Sequence, residues 1–272
     1  MEFFVEHFTH LKRIFRMSFL EVREEFRGAK FGVFWEILRT AIFFTIYGAF
    51  YILMRGGAKS FSEMISHIMW LFAALLPWQL ISSAINQTPR AYKRNRILIT
   101  TIKFPTSIIP TFDILGKFMI HLIPLTIMMI VFSFAGLVTF GYLWLLYYYF
   151  AMFMLLWSLM SFLSIICSVS LDFYKFWQVI TRIFIYLNPI FWSIETAKSM
   201  LHSNLWIKVL KLNPFVYIFE GFRSVIVHGT SKTATPANSL HYHLYFWGCI
   251  IVLFSIGVLF QKKLRKLLPD IL

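Results

Sequence analysis

Six stretches of the chain are apolar for long enough to cross a membrane as helices. Spanning a hydrocarbon core about 30 Å thick takes roughly 20 predominantly apolar residues in helical form. The longest uncharged stretch covers residues 142–171, whereas the fifth stretch is short and contains Arg182 and Pro189. We therefore predict an all-α integral membrane protein, a single transmembrane domain over residues 1–272, with six spans at residues 31–54, 64–87, 105–140, 142–171, 176–192 and 242–260.

The composition excludes an ordinary soluble domain and a disordered chain. Apolar residues make up 59% of the sequence and charged residues only 14%, against roughly a quarter in a soluble domain. A formal charge of +14 would suggest a nucleic-acid partner in a soluble protein, but in so apolar a chain it reports membrane topology. We therefore expect no nucleic-acid partner. Cys167 and Cys249 both fall within apolar stretches, which fits neither a disulfide framework nor a metal site.

The distribution of Lys and Arg predicts the orientation of the chain. Basic residues cluster before the first span, in the loop between the second and third spans, and in the C-terminal tail. Because cytoplasmic loops carry the excess of Lys and Arg, both termini are predicted to be cytoplasmic. The segment 193–240 is then external, although it holds five basic residues, since longer loops follow this rule less strictly.

Residues 4–27 are predicted to form an amphipathic helix that lies on the membrane instead of crossing it. Apolar side chains recur at helical spacing along one face: Phe4, Phe8, Leu11, Phe15, Phe19, Val22 and Phe26. The other faces are charged and include Arg16, Arg23 and Arg27. A helix with an aromatic stripe and this many charges fits the cytoplasmic membrane interface. The alternative is a solvated helix that packs on another subunit.

The external segment 193–240 is predicted to contain two short helices. Asn213 and Pro214 are typical of an N-cap and a first helical residue, and Gly229 is typical of a helix stop. Both helices are too short to cross a membrane, so we expect them to be re-entrant or interfacial. Non-helical backbone at membrane depth is tolerated only where protein or water covers it, which favours the mouth of a transport pathway.

Several charged residues fall within the predicted spans, where a charge is costly and therefore points to function. Glu36 and Arg39 are three residues apart, and Asp113 and Lys117 are four apart. Either spacing allows an ion pair on one helix face, so internal neutralisation is the alternative to a functional role. Arg182 has no acidic residue near it in sequence. It is expected either to reach lipid phosphate or to bind an anionic substrate group.

The sequence lacks the motifs of an enzyme. It contains no HExxH motif and no CxxC pair, and its histidines are scattered singly. The run from Gly57 to Ser60 has a superficial resemblance to a phosphate loop, but it lacks the upstream glycine and follows a membrane helix. An intramembrane enzyme would be expected to show a tighter cluster of titratable groups. We therefore predict a conduit with no catalytic residue and no metal site.

Six groups of short motifs occur in order along the chain. They are Leu20-Glu21-Val22-Arg23 with Phe26-Arg27-Gly28, Phe34-Trp35-Glu36-Ile37-Leu38, Leu76-Pro77-Trp78-Gln79, Ile102-Lys103-Phe104-Pro105, Asp172-Phe173 with Leu187-Asn188-Pro189-Ile190-Phe191-Trp192, and Leu212-Asn213-Pro214-Phe215 with Glu220-Gly221-Phe222-Arg223. Together they resemble the permease half of ABC-2 type exporters, in particular the group that moves lipid-linked polysaccharides and teichoic acids. The chain departs from that pattern at Arg39-Thr40, where the family often has Asn-Pro, and at Asn188, which replaces a common Ser.

The resemblance implies particular partners. This chain would form a homodimer that binds two copies of a nucleotide-binding ATPase subunit, in a bacterial or archaeal cytoplasmic membrane. ATP and Mg would be bound by the ATPase, and no cofactor by this chain. Residues 4–27 are similar to the family's interfacial helix, and the helices of 193–240 to its external gate helices. Residues 90–103 correspond to its coupling segment, in which the ATPase contacts would be Arg90, Lys93, Arg94 and Arg96. Contact with anionic lipid is the alternative for this basic segment.

The implied function is ATP-driven export of a polyprenyl-pyrophosphate-linked polysaccharide, such as O-antigen, capsule or teichoic acid. Basic residues near the cytoplasmic leaflet would receive the pyrophosphate, and aromatic residues would contact sugar rings. The expected pathway residues are Arg39, Trp78, Lys117, Arg182, Tyr186, Phe191, Trp192, Phe215 and Tyr217. One alternative is an ABC-2 exporter of drugs or simple lipids. Another, from a different class, is an intramembrane transferase acting on lipid-linked sugar.

Overall fold

The computed structural model describes residues 2–54, 56–57, 60–101, 104–134, 136–137, 140–194, 196, 199, 209–228, 240–264 and 268. The principal elements in these ranges are helices: α1 (Glu2–Thr9), α2 (Leu11–Glu25), α3 (Phe34–Met54), α4 (Phe61–Gln87), α5 (Ala91–Arg94), α6 (Arg96–Thr101), α7 (Ile109–Phe134), α8 (Trp144–Val169), α9 (Leu171–Leu187), α10 (Pro214–His228) and α11 (Leu240–Leu264). Short 3-10 turns cover Thr88–Arg90, Thr106–Ile108 and Phe140–Leu143. The predicted all-α class is confirmed.

Five segments in the described part of the chain are long and apolar enough to cross a membrane: Phe34–Met54, Ser62–Thr101, Thr106–Phe134, Phe140–Val169 and Leu240–Leu264. They coincide with five of the six predicted spans, and the chain is a multi-pass membrane protein. The predicted span 176–192 corresponds to α9, whose 17 residues would be about 26 Å long. The helix ends there because Asn188 adopts an extended conformation before Pro189. A sixth crossing therefore stays a prediction.

The core of the bundle is built on α4 and α8. The longest helix pairing is between α8 and α11, while α10 lies against α4. The close approach of α10 to α8 depends on Gly221, since a Cβ atom there would stand 2.1 Å from the ring of Tyr148. By contrast α3 is largely peripheral and exposes Ile42, Ile46 and Phe50. Such apolar surface fits contact with lipid or with another membrane helix.

Helix α8 carries four buried serines whose hydroxyls are satisfied within the helix itself. Ser158, Ser161, Ser164 and Ser168 each donate to a main-chain carbonyl three or four residues earlier. Each hydroxyl therefore has a partner although its surroundings are apolar, as burial requires.

The N-terminal segment forms two helices, α1 and α2, where one helix over residues 4–27 was expected, and the break is at His10. The predicted aromatic stripe faces away from the bundle, because Phe8, Phe15 and Phe19 are exposed. The opposite face, with Ile14 and Ser18, is buried against the start of α7. Gly116 of α7 allows this contact, since a Cβ atom there would lie 3.3 Å from the Ser18 carbonyl oxygen.

Helix α1 is attached to the bundle through His7. Its Nδ1 donates to the Phe3 carbonyl at 2.7 Å, which leaves Nε2 to accept from the Thr111 hydroxyl at 2.8 Å. Thr111 in turn accepts from the Trp157 indole at 2.7 Å. Burial lowers the pKa of His7, so the neutral ring that this chain of bonds requires is favoured.

Most of the described part of the external segment is α10 with the turn before it. Asn213 acts as the expected N-cap, because its side-chain oxygen accepts from the main-chain N–H of Phe215 at 3.1 Å, and Pro214 begins the helix. The proposed stop at Gly229 and most of the first predicted short helix lie outside the described residues.

Candidate functional site

A cavity of about 340 Å³ opens between α2, α3, α4 and α7, and we call it the polar cavity because charged and polar side chains line it beside apolar ones. Its lining residues are Glu21, Glu25, Glu36, Arg39, Phe43, Trp78, Gln79, Leu80, Ser82, Ser83, Asn86, Gln87, Asp113, Gly116, Lys117, Ile120 and His121. On α4 the lining extends from Gln87, at the helix end, about two and a half turns inward to Trp78. Polar groups this far along apolar membrane helices mark a functional site.

One face of α7 supplies the ionisable wall of this cavity. Asp113, Lys117 and His121 follow one another at intervals of four residues and all line the cavity. The carboxylate of Asp113 is fully buried and accepts a hydrogen bond from Lys117 Nζ at 2.9 Å. The predicted pair is therefore formed, and Lys117 is neutralised on its own helix.

The second predicted pair borders the same cavity. Arg39 Nη1 lies 3.0 Å from the Glu36 carboxylate on α3, and the Arg39 side chain is 64% exposed. Both cations of the lining are therefore paired. Among the lining residues carboxylates outnumber cationic side chains, with Glu21 and Glu25 on α2 adding to Glu36 and Asp113. The cavity therefore offers little free positive charge to an anion.

The remaining walls combine neutral polar groups with aromatic surface. Ser82, Ser83 and Gln79 face the cavity from α4, next to the indole of Trp78. The Gln79 side-chain oxygen is buried beside the cavity and has no hydrogen-bond partner among the described residues, which is rare for a buried polar atom. Sites of this composition bind small polar ligands through a few directed hydrogen bonds beside an apolar wall.

His121 closes the inner end of the cavity as a structural link. Its Nε2 lies 2.8 Å from the Leu76 carbonyl and its Nδ1 lies 2.7 Å from the Tyr149 hydroxyl. Since a carbonyl only accepts, Nε2 carries the proton and Nδ1 accepts from Tyr149. The ring thus ties α7 to α4 and α8, and both its nitrogens are occupied.

Arg182 lies apart from this cavity on α9. It shares an exposed helix face with Val179, Ile183 and Tyr186. The opposite face of α9 is fixed on α4, where the Thr181 hydroxyl donates to the Asn86 side-chain oxygen at 2.9 Å. Within the described ranges no carboxylate pairs with Arg182. Of the three residues predicted to contact the pyrophosphate, Arg182 is thus the one whose charge has no carboxylate partner in the described ranges.

Residues 188–192 are held by Arg223 of α10, and we call this arrangement the Arg223 clamp. Arg223 is 4% exposed and donates to the Ile190 carbonyl at 2.7 Å. Its guanidinium lies 3.6 Å from the ring centroid of Trp70, and Glu220 pairs with it at 3.2 Å. Glu220 and Arg223 belong to one of the motifs quoted above, but the sequence does not reveal the clamp, because the Ile190 carbonyl that Arg223 binds lies 33 residues away.

The remaining predicted pathway aromatics occupy two kinds of position. Phe191 and Trp192 are partly exposed in the clamped segment, and Phe191 stacks on Tyr47 with ring centroids 5.4 Å apart. Phe215 and Tyr217 are instead buried within the bundle. The Tyr217 hydroxyl bonds that of Tyr147 at 2.8 Å, and burial raises the pKa of Tyr217.

The segment that follows α4 presents both a buried and an exposed face. Tyr92 and Ile99 anchor it in the core, whereas Arg96 and Ile97 are exposed. Arg90 is exposed and its guanidinium lies 4.1 Å from the ring centroid of Tyr174.

Two more residues of this segment that were predicted to contact the ATPase lie in different surroundings. Lys93 is half-buried, and Arg94 turns inward to the Asp113 carboxylate. Residues 102 and 103, the end of the predicted coupling segment, lie outside the described residues.

Comparison with known proteins gives two matches. The sequence profile of the ABC-2 type transporter family matches residues 13–227, which is most of the chain. The O-antigen export system permease protein RfbA of Myxococcus xanthus is 20% identical over 230 residues, which cover 81% of this chain and 82% of that protein. The chain therefore belongs to the ABC-2 type transporter family and is a membrane-embedded transport subunit, not an enzyme.

Proposed function

We propose that this chain is the permease of an ATP-driven exporter that carries polyprenyl-pyrophosphate-linked polysaccharide across a bacterial or archaeal cytoplasmic membrane. The polymer would be an O-antigen, a capsule or a teichoic acid. The observation that carries the proposal is the polar cavity, which extends along otherwise apolar membrane helices in a chain similar to an O-antigen export permease. In this proposal both termini are cytoplasmic and α9 belongs to a sixth crossing.

The working unit is a homodimer with two ATPase subunits. Helices α3 and α9 support a dimer seam because each leaves an apolar face without a partner in the described part of one protomer. The exposed residues are Ile42, Ile46, Phe50 and Leu53 on α3 and Phe176, Val179 and Ile183 on α9. A second copy covering these faces would bring Arg182 and Tyr186 of both protomers to the pathway.

The pyrophosphate contact is assigned to Arg182. Arg39 and Lys117 are engaged by Glu36 and Asp113, so binding an anion there would break an existing pair. The cavity instead suits the uncharged hydroxyl-rich part of the substrate, with Gln79 as acceptor and Trp78 as an apolar plane. The Arg223 clamp fixes Phe191 and Trp192 at the predicted external gate.

The ATPase docks on the exposed side of the segment after α4. Arg90, Arg96 and Ile97 form a basic and apolar surface there, while Tyr92 and Ile99 fix the segment to the bundle. Helices α1 and α2 lie in the cytoplasmic interface. Their exposed aromatic stripe enters the lipid and their Lys and Arg residues contact anionic headgroups.

The test is export of polymer by cells that lack the native gene and carry a variant on a plasmid. Arg182→Ala is expected to abolish or strongly reduce surface polysaccharide while leaving dimer assembly and basal ATP hydrolysis intact. Lys175→Ala, which removes another exposed cation from α9, is the matched control and should export normally.

Three results would contradict the proposal. Unchanged export by Arg182→Ala would remove the pyrophosphate assignment. Normal surface polysaccharide in cells without the gene would favour a drug or simple-lipid exporter. Transfer of sugar by the purified chain in the absence of any ATPase would favour a transferase.

A further inference from the structure

The buried carboxylate of Asp113 joins three segments that the sequence keeps apart. We infer that Asp113 is a positioning residue that couples the ATPase-docking segment to α2 and α7, and so to two walls of the polar cavity. The inference rests on the proposed function, because it assigns the segment after α4 to the ATPase. We use the name Asp113 network for the linked residues Asp113, Lys117, Thr88, Arg94, Glu21 and Asn95.

The carboxylate holds both ends of the turn that begins the docking segment. Thr88, which directly follows α4, donates to Asp113 Oδ2 at 2.5 Å. Arg94, the last residue of α5, donates to Asp113 Oδ1. The turn between them therefore cannot rotate as a unit without breaking a charge-assisted bond to α7.

The same arginine also connects the docking segment to α2. Its Nε lies 4.0 Å from the Glu21 carboxylate, and the neighbouring Asn95 donates to Glu21 at 3.3 Å. Helix α2 touches α7 directly at Gly116, where a Cβ atom would lie 3.3 Å from Glu21 Cβ. A displacement of Arg94 is thus transmitted to α2 and α7 together.

Both of these helices supply walls of the cavity. Glu21 of α2 lines the cavity next to Asp113, Gly116 and Lys117 of α7. Moving α2 against α7 therefore changes the shape of this part of the lining. A rearrangement imposed on the docking segment by the ATPase therefore reaches the cavity through Arg94, which contacts both Asp113 and Glu21. It also reaches the cavity through the neighbouring bonds of Thr88 and Asn95.

Stability alone does not require charged groups at this position. Exchanging a buried ion pair for apolar side chains of similar size is often neutral or even stabilising, because the charges no longer have to be desolvated. The chain nevertheless places a fully buried carboxylate between two cations and a hydroxyl. Bonds of defined direction between segments, which apolar packing would not provide, fit a transmission role.

The experiment uses the full permease–ATPase complex in lipid vesicles and measures ATP hydrolysis and polymer export in the same preparation. Arg94→Gln is the first variant, because the Arg94 side chain is 41% exposed and its loss leaves Asp113 still paired with Lys117. We expect the complex to form and to hydrolyse ATP, while export per ATP falls about tenfold or more, which is within the usual range of coupling between sites.

A second variant removes the buried Asp113–Lys117 pair and leaves Arg94 with Glu21 as its carboxylate. The double substitution Asp113→Asn with Lys117→Met is neutral as a pair and is also expected to lose export per ATP. Glu24→Gln is the matched control, because Glu24 lies on α2 three residues from Glu21 but pairs only with the exposed Arg27 in the described residues. It should keep the wild-type ratio.

Two outcomes with the variants would overturn the inference while leaving the proposed function in place. Wild-type export per ATP in Arg94→Gln would show that Arg94 transmits nothing. A parallel fall of export and ATP hydrolysis at a constant ratio would show a purely structural role. A wild-type chain that binds no ATPase would overturn the proposed function itself, and this inference with it. This outcome is recognised with the wild-type chain, before any variant is compared.

Discussion

The two halves of α4 border regions that use arginine in opposite ways. Around the second half, at the cavity, Arg39 and Arg94 are 64% and 41% exposed and pair with carboxylates from helices that surround an open space. Around the first half, Arg223 is 4% exposed, lies over Trp70 and donates to a main-chain carbonyl. The cavity region is thus held by ion pairs of partly exposed arginines, and the clamp by a buried arginine that donates to the main chain and also pairs with Glu220. This difference predicts which region tolerates change.

The largest effect is expected from Arg223→Leu. The substitution leaves the Ile190 carbonyl without its charged donor and removes the contact with Trp70, so we expect a loss of about 2–4 kcal/mol. Arg39→Leu is its counterpart at the cavity and should cost less, about 1 kcal/mol, because the Arg39 side chain is mostly exposed although that of Glu36 is not. Denaturant unfolding of both variants in the same detergent measures the difference. Equal losses would remove the distinction between the two regions.

A smaller but still clear effect is expected from Gly221→Ala on the clamp helix. The new methyl group would stand 2.1 Å from the Tyr148 ring, and overpacking of this kind costs about 1–3 kcal/mol. Gly248→Ala is the matched control, since no atom lies within 4 Å of the Cβ position there. The apparent melting temperature should fall for the first variant only. If the melting temperature does not fall, α10 is able to move away from α8 although the Arg223 clamp holds its other contacts.

The smallest effect is that of pH, which is expected to change the attachment of α1 through His7 and to leave the Arg223 clamp unchanged. His7 has a lowered pKa and binds Thr111 as the neutral ring, so attachment of α1 is fully present above the ordinary histidine range of about 6.5. It is lost as the pH falls through the lowered value, because protonation then favours the detached helix. Arg223 keeps its charge throughout.

Hydrogen exchange of the α1 amides at pH 5 and pH 7.5 measures this effect. Once the intrinsic pH dependence of amide exchange is corrected for, protection is expected to fall at pH 5 in α1 and to stay unchanged in α10. His7→Gln keeps a hydrogen-bonding side chain that cannot be protonated, so α1 protection should lose its pH dependence. Equal protection of α1 at both pH values in the wild type would contradict the prediction.

The features that the sequence predicted correctly are local ones. The apolar stretches indicated five of the membrane helices because length and hydropathy alone decide them. The pairs Glu36–Arg39 and Asp113–Lys117 followed from the three- and four-residue spacing of a helix face. The cap at Asn213 followed from the residue types that begin helices.

The features that could not be predicted depend on contacts between distant segments. Arg94 was interpreted as an ATPase contact because it lies in a basic run, yet it turns toward Asp113 on a later helix. Arg94 reaches Asp113 because α5 folds back against α7. The spacing of residues along the sequence does not reveal that fold. The roles of Gly116 and Gly221 likewise depend on which helix packs against them, and the sequence alone does not show that packing.

The serines of α8 have a consequence for biogenesis. Ser158, Ser161, Ser164 and Ser168 give their hydroxyl hydrogens to carbonyls of their own helix. A newly made α8 therefore carries these groups into the lipid already satisfied, and its insertion does not depend on the later arrival of α11. The most central helix of the bundle is in this respect self-sufficient.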